Sequence, residues 1–181
     1  SKFPSDGLYE PIYYLLNIHG KRMRPILALS VCEAEGVSLE TAMPAAIAVE
    51  LFHNFTLMHD DIMDQASLRR GQLTVHEVYG EDAAILSGDA MFTLSRISLE
   101  DVKEKVLLDI IKVFNRTSRE VCEGQQMDME FENRNDVTTD GYLEMIRLKT
   151  AVLFACSCAM GAIAAGVSKE RVELWYRFGE Q

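Results

Sequence analysis

The sequence predicts an all-α protein, a bundle of helices packed around a central cavity. Three observations support this. The run from 45 to 58 is long, apolar, rich in good helix formers and free of interior glycine and proline. Two further stretches, 102–131 and 142–165, carry helical patterning over many turns. No segment alternates with period two as a half-buried strand would, and no internal repeat or low-complexity tract appears. A chain of 181 residues is one domain by size and long enough for a substantial core.

The elements follow in order. Residues 1–7 hold Pro4 and Gly7 and read as a loose lead-in. Residues 8–18, mostly apolar with three tyrosines, suggest a short helix that His19-Gly20 breaks. The next helix is expected over 25–35, with Pro25 in its first turn and Gly36 as its stop. Lys21 and Arg24, three residues apart at its start, are expected to share a face. Ser38 is placed to cap a central helix over 39–65, where Pro44 is tolerable only near the beginning. A loop at 67–73 follows, then a short helix over 75–79 and one over 83–94 that is broken or bent at Gly88. In the long helix over 102–131 the interior Gly124 is a weak point. Residues 133–141 form a polar loop, 142–165 a helix, and Gly166-Val167-Ser168 a turn in which Ser168 caps the closing segment.

Composition narrows the function. Apolar residues make up 48% and charged residues 25%, as in an ordinary soluble globular protein. The net charge of −10 argues against a nucleic-acid partner but not against a small anionic substrate met by local basic groups. Cys32, Cys122, Cys156 and Cys158 show no metal-ligand spacing and read as reduced, mostly buried residues of a cytoplasmic protein. Residues 1–10 show no signal peptide. The most apolar stretch, 150–166, is shorter than the roughly 20 residues of a membrane span and is expected to be a core helix, so no transmembrane segment is predicted.

The chemistry concentrates at 57–71. On a helix Asp60 and Asp64 share one face, with Asp61 a step around. Like charges at that spacing repel by roughly 0.2–0.5 kcal/mol, so local stability does not explain them. A divalent cation would, and Mg²⁺ takes one or two carboxylates while keeping positions for water and phosphates. Arg69 and Arg70 follow, and guanidinium groups match phosphate geometry with paired hydrogen bonds. The competing reading is a solvated, salt-bridged turn. Carboxylates that end an apolar helix, with an arginine pair behind them, favour a metal–diphosphate clamp.

At these residues the chain resembles the trans-isoprenyl diphosphate synthases (polyprenyl synthetases), of the short- or medium-chain type that makes farnesyl or geranylgeranyl diphosphate. Gly20-Lys21-Arg22-Met23-Arg24-Pro25 is similar to the family's GKRxRP element. Glu50-Leu51-Phe52-His53, Asp60-Asp61-Ile62-Met63-Asp64, Leu68-Arg69-Arg70-Gly71, Thr74-Val75-His76, Gly88-Asp89-Ala90, Gly124-Gln125-Gln126-Met127-Asp128 and Lys149-Thr150 follow in family order. The resemblance implies an isoprenoid synthase-like bundle and a Mg²⁺-dependent (or Mn²⁺-dependent) prenyltransferase. That enzyme condenses isopentenyl diphosphate with an allylic diphosphate (dimethylallyl, geranyl or farnesyl), releases diphosphate and works as a homodimer.

Residue by residue, the resemblance places the metal on Asp60 and Asp64, with Asp61 ligating or orienting its neighbours. Arg69, Lys149 and Thr150 fall on the allylic diphosphate; Lys21, Arg24, His53 and Arg70 fall on that of isopentenyl diphosphate. His53, seven residues before Asp60, is two turns away on the same face, although a lone histidine on an apolar helix is also an ordinary core residue. Lys149 could equally be a surface residue or the ion-pair partner of Asp128, and Gln125 and Asp128 read either as supports of the site or as a polar stripe. Phe55 and Thr56 occupy the family's product-length floor; Thr56 lies almost under Asp60, while Phe55 points off that line and could be plain core packing. A single aromatic floor residue suggests a C15–C20 product.

The chain departs from the family in one respect: the second aspartate-rich motif does not occur before Gln181. Residues 1–181 are therefore expected to be one isoprenoid synthase domain, incomplete at its C-terminus. Two other functions compete. A class I terpene cyclase also uses an aspartate-rich motif but needs no second diphosphate site, which the GKRxRP-like element and the LRRG segment disfavour. A non-catalytic prenyltransferase subunit fits a missing second motif but not an intact first one.

Overall fold

The computed structural model describes residues 6–181, so the lead-in expected over 1–7 lies outside it apart from Asp6 and Gly7, which open the first helix. In chain order the described residues form α1 (Asp6–Asn17), α2 (Met23–Ala34), α3 (Met43–Met63), β1 (Leu68–Arg69), β2 (Gln72–Leu73), α4 (Val75–Tyr79) and α5 (Glu81–Ile97). Then come α6 (Glu104–Phe131), α7 (Thr139–Ile146), α8 (Val152–Ala165) and α9 (Lys169–Glu180). Short 3₁₀ turns at Leu39–Thr41 and Ser98–Asp101 and a π-helical turn at Arg147–Ala151 complete the set. The all-α expectation holds. The loop expected at 67–73 is instead a two-stranded hairpin, too short to show any alternation.

The chain divides into two compact units, one built from Ser1–Arg22 with Glu50–Ser98 and the other from Met23–Val49 with Leu99–Gln181. In the first, Ile12, Leu15 and Ile18 from α1 and its exit pack with Met58 of α3, Val75 of α4, and Ala84 and Met91 of α5. Phe55, Leu51 and Ile62 close over that core. Their spacing on α3 is the apolar stripe visible in the sequence. The break expected at Gly88 does not occur: α5 is continuous, and Gly88 is buried where the His59 ring passes, a Cβ there lying 2.6 Å from His59 Cδ2.

In the second unit α8 is the hub, buried along nearly its whole length and packed by α2, α6 and α9. Its small residues permit this; a Cβ on Gly161 would come within 3.0 Å of the Ala28 carbonyl carbon of α2. The helical run Thr139–Ala165, which joins α7, the π turn and α8, is 27 residues long, and by length and composition it could cross a membrane. The length argument against a span therefore fails. Burial replaces it, because 72% of the most apolar window lies inside the protein, as in a core helix.

Helix ends follow their local chemistry. Gly36 and Gly166 take positive φ and close α2 and α8, and the Ser168 side chain caps α9 by accepting from Arg171 N. Ser38 makes no side-chain cap. The central helix begins at Met43 rather than 39, because Pro44 suits the first turn and a 3₁₀ turn precedes it. α2 begins at Met23 after Arg22 at φ 49, so Lys21 lies outside the helix and does not share a helical face with Arg24.

Candidate active site

The acidic stretch ends α3 by a device that aims it. Gln65 adopts φ 49, its N–H bonds the Ile62 carbonyl at 3.1 Å, and Ala66 N–H bonds the Asp61 carbonyl at 2.9 Å. This is a Schellman closure made without glycine. The chain then turns through Arg70 (φ 54) and Gly71 (φ 80), two successive positive-φ residues that form the primed two-residue hairpin turn. Leu68 opposes Leu73 and Arg69 opposes Gln72, while Thr74 ties the hairpin base to the Ala66 carbonyl at 2.7 Å.

The hairpin delivers Arg69 to the carboxylates. Arg69 Nε donates to both oxygens of Asp61, at 2.9 and 2.8 Å, and Nη2 stands 2.7 Å from Asp61 Oδ1 and 3.6 Å from Asp60 Oδ2. Asp61 is buried, 2% exposed, whereas Asp64 is open to solvent. Burial alone would pull the Arg69 guanidinium down. Its hydrogen bonds to Asp61 and the charges of Asp61, Asp60 and Asp64 outweigh that and hold its pKa above the ordinary arginine value. Asp61 is thus engaged with an arginine on both of its carboxylate oxygens.

The donor set can be tested against a divalent cation. Among the described residues no three His, Cys, Asp or Glu side chains converge into a ready-made cage. Mg²⁺ does not require one, since one or two carboxylates with waters and phosphate oxygens satisfy it. Asp60 and Asp64, one turn apart with the helical bond from Asp64 N to Asp60 O at 2.8 Å, are such a pair. The residues fit the ion.

Arg70 points elsewhere. Its Nη1 donates to the His19 carbonyl at 2.9 Å, and its guanidinium lies over Gly20. The next residues are pinned too: Arg22 donates to the Leu16 carbonyl at 2.5 Å and pairs with Glu50, which also accepts from Asn54 at 2.9 Å. The sequence shows Arg22 and Glu50 as parts of two separate motifs but gives no sign that they meet each other and Asn54. A charged pair 28 positions apart leaves no local signal.

Phe55 stacks on Phe92 of α5, with centroids 5.2 Å apart, and meets His59 edge-on at 4.9 Å. His59 Nε2 lies 3.1 Å from the Ile85 carbonyl. The Thr56 hydroxyl turns back to the His53 carbonyl at 2.8 Å, and both residues are half-buried on α3.

The second unit holds the remaining candidates. Lys149 and Thr150 sit in the π-helical turn, a feature frequent at functional sites and invisible in the sequence. Lys149 Nζ donates to Asp128 Oδ2 at 2.6 Å, so the ion pair anticipated as an alternative for Lys149 is present. Gly124 makes room for that turn; a Cβ there would lie 2.8 Å from Lys149 Cα. Gln125 stands beside it on α6, half-buried, and Thr150 is exposed. Arg24 lays its guanidinium 4.2 Å over the Phe154 ring of α8.

The sequence and the fold are similar to those of known proteins. The family described as polyprenyl synthetase matches residues 5–181. A geranylgeranyl diphosphate synthase of Methanosarcina mazei is 44% identical over 179 residues, 96% of this chain and 54% of the relative. A solved geranylgeranyl pyrophosphate synthase is similar with a TM-score of 0.96 at 50% identity, over 99% of this chain and 55% of that one. The geranylgeranyl pyrophosphate synthetase of the archaeon Geoglobus acetivorans gives 0.94 at 39% identity, over 99% and 59%. The chain spans about half the length of the curated relatives it matches.

Proposed function

This chain belongs to the polyprenyl synthetase family, and on that premise we propose that its protein is a prenyltransferase that joins isopentenyl diphosphate to an allylic diphosphate and releases diphosphate. One observation carries the reading: α3 and the hairpin hold Asp60, Asp61 and Arg69 together, carboxylate and guanidinium within 2.7–3.6 Å. Asp60 and Asp64 are the proposed ligands of Mg²⁺, with Mn²⁺ as the alternative ion. The bound ion neutralises charge that builds on the leaving diphosphate. Asp61 orients Arg69, which donates to the allylic diphosphate; Lys149 and Thr150 are proposed to contact the same group. Lys21, Arg24, His53 and Arg70 are proposed for the diphosphate of isopentenyl diphosphate, with Gln125 and Asp128 supporting Lys149. Apolar and aromatic side chains, Phe55 among them, keep water from the reacting carbons. The relatives' names support a C15–C20 product, and we propose a cytoplasmic homodimer.

The test is an incubation of the intact natural protein with Mg²⁺, radiolabelled isopentenyl diphosphate and geranyl or farnesyl diphosphate. An elongated diphosphate is expected. Hydrocarbon release would instead indicate a cyclase, and inactivity a non-catalytic subunit. Asp60→Asn and Asp64→Asn are each expected to lose more than the roughly 10–100-fold that outer-shell partners of a metal contribute. Unchanged turnover in both would overturn the reading.

A further inference from the structure

We infer that Gly20 is a positioning residue, one that keeps clear the place from which Arg70 presents its guanidinium to a diphosphate. The inference rests on the reading of Arg70 as a diphosphate ligand given above.

Glycine is not required at 20 by backbone conformation, because the glycines with positive φ are Gly36, Gly71, Gly80 and Gly166. Space requires it. A Cβ built on Gly20 would collide with Arg70 Nη1 and lie 3.0 Å from Cζ and 3.2 Å from Nη2. All three contacts are with the tip of one flexible side chain. A methyl group at 20 would therefore be accommodated by moving the guanidinium and not the main chain.

The surroundings make that displacement matter. Arg70 is exposed, and a long exposed arginine samples many rotamers unless something selects one. Here the main chain is set by the hairpin turn, with Arg70 at φ 54 between Arg69, locked on Asp61, and Gly71. The tip is set by the His19 carbonyl at 2.9 Å and by the open face of Gly20. His19 and Gly20 are themselves held between Ile18, 2% exposed in the core, and Arg22, bonded to the Leu16 carbonyl and to Glu50. A guanidinium fork held in one direction by a rigid frame binds a phosphate without first losing rotamer freedom. The ligand class is a diphosphate monoester.

The experiment is a double-mutant cycle in the intact natural protein, Gly20→Ala against Arg70→Met, read by steady-state kinetics and thermal melting. Gly20→Ala is expected to raise KM for isopentenyl diphosphate about tenfold, leave kcat and the allylic KM within about twofold, and leave Tm within about 2 °C. In the Arg70→Met background, Gly20→Ala is expected to add nothing, because the group it displaces is gone. Multiplying effects, or an unchanged isopentenyl KM in Gly20→Ala, would overturn the inference. So would a loss of Tm that persists when Arg70 is removed, since Gly20 would then serve the fold alone. If Arg70→Met itself leaves that KM unchanged, the reading of Arg70 falls and the inference with it. That result is distinct from the case in which Arg70→Met raises KM and Gly20→Ala does not.

Discussion

Arg69 and Asp61 share three close N···O contacts of 2.7–2.9 Å, and the carboxylate is cut off from water while the arginine side chain keeps 21% of its exposure. Removing the cation strands a buried charge; removing the carboxylate charge leaves an arginine that water can reach. Arg69→Met is therefore expected to cost about 2–3 kcal/mol, below the roughly 3–5 kcal/mol of a fully buried pair. Asp61→Asn, whose amide oxygen still accepts, is expected to cost about 1–2 kcal/mol. Urea unfolding midpoints measure both. Equal losses would show that lost hydrogen bonds, and not the stranded charge, set the cost.

Gly124 sits inside α6, where replacing glycine by alanine in an isolated helix would gain about 1 kcal/mol. In the folded protein a Cβ there would lie 2.7 Å from the Leu148 carbonyl carbon and 2.8 Å from Lys149 Cα. These are backbone atoms and cannot swing aside. Overpacking of this kind costs about 1–3 kcal/mol, so Gly124→Ala is expected to destabilise by about 1–2 kcal/mol net and to disturb the Lys149–Asp128 pair. A thermal melt that moves upward would refute the close approach.

These two cases show what was legible beforehand. The helical class, the extent of α4 and the C-terminal end of α6 could be read, because apolar periodicity and helix formers are local signals. Asp60, Asp61, Asp64 and Arg69 could be read as one cluster, because a helix face and a short connection bring them together. The hairpin could not, because its turn is Arg70-Gly71 and not the usual Asn-Gly or Asp-Gly, and its strands are two residues each. Gly88 and Gly124 looked like breakers and are clearances. Each belongs to a neighbour far away in sequence, His59 for one and the π turn for the other. Nothing within a window of local sequence names those partners.

Phe55 lies in a ring stack with Phe92 and His59, so its position is set by packing on α5 as well as by its place on α3. If it also limits the product, Phe55→Ala should lengthen the product by at least one isoprene unit. Half-burial reduces the usual 3–5 kcal/mol penalty of Phe→Ala, and about 2 kcal/mol of stability is expected to be lost. Reverse-phase chromatography of the dephosphorylated products reads the length. A destabilised variant with an unchanged product would assign Phe55 to packing alone.

Burial pushes the Cys156 thiol up to about 12 and the Cys158 thiol up to about 11. Burial also raises Cys32, whereas Cys122, exposed on α6, is raised by partial desolvation and by Glu123. The thiolate is the nucleophile, so inaccessible thiols that are protonated at pH 8 do not react. Titration of the native protein with a thiol reagent is expected to label Cys122 alone and slowly, and all four cysteines after denaturation. Fast labelling of Cys156 or Cys158 in the native state would contradict the packing of α8, and fast labelling of Cys32 that of α2.

Glu35, at the end of α2, accepts from Trp175 Nε1 at 2.6 Å and from Arg171 Nε at 2.8 Å, both on α9. The Trp175 and Arg171 hydrogen bonds, in that order, hold its carboxyl below the ordinary value of 4.5. A carboxylate depressed in the folded state adds stability that is fully present above the unfolded value and fades as pH falls through 4.5 toward the lower native value. Glu35→Gln should therefore melt below the wild type at pH 6–8, and the gap should close between about pH 5 and 3. Trp175 is the sole tryptophan of the chain, so its fluorescence reports the α2–α9 junction directly. A gap that stays constant down to pH 3 would mean that the contact works through shape and neutral hydrogen bonding, not through the Glu35 charge.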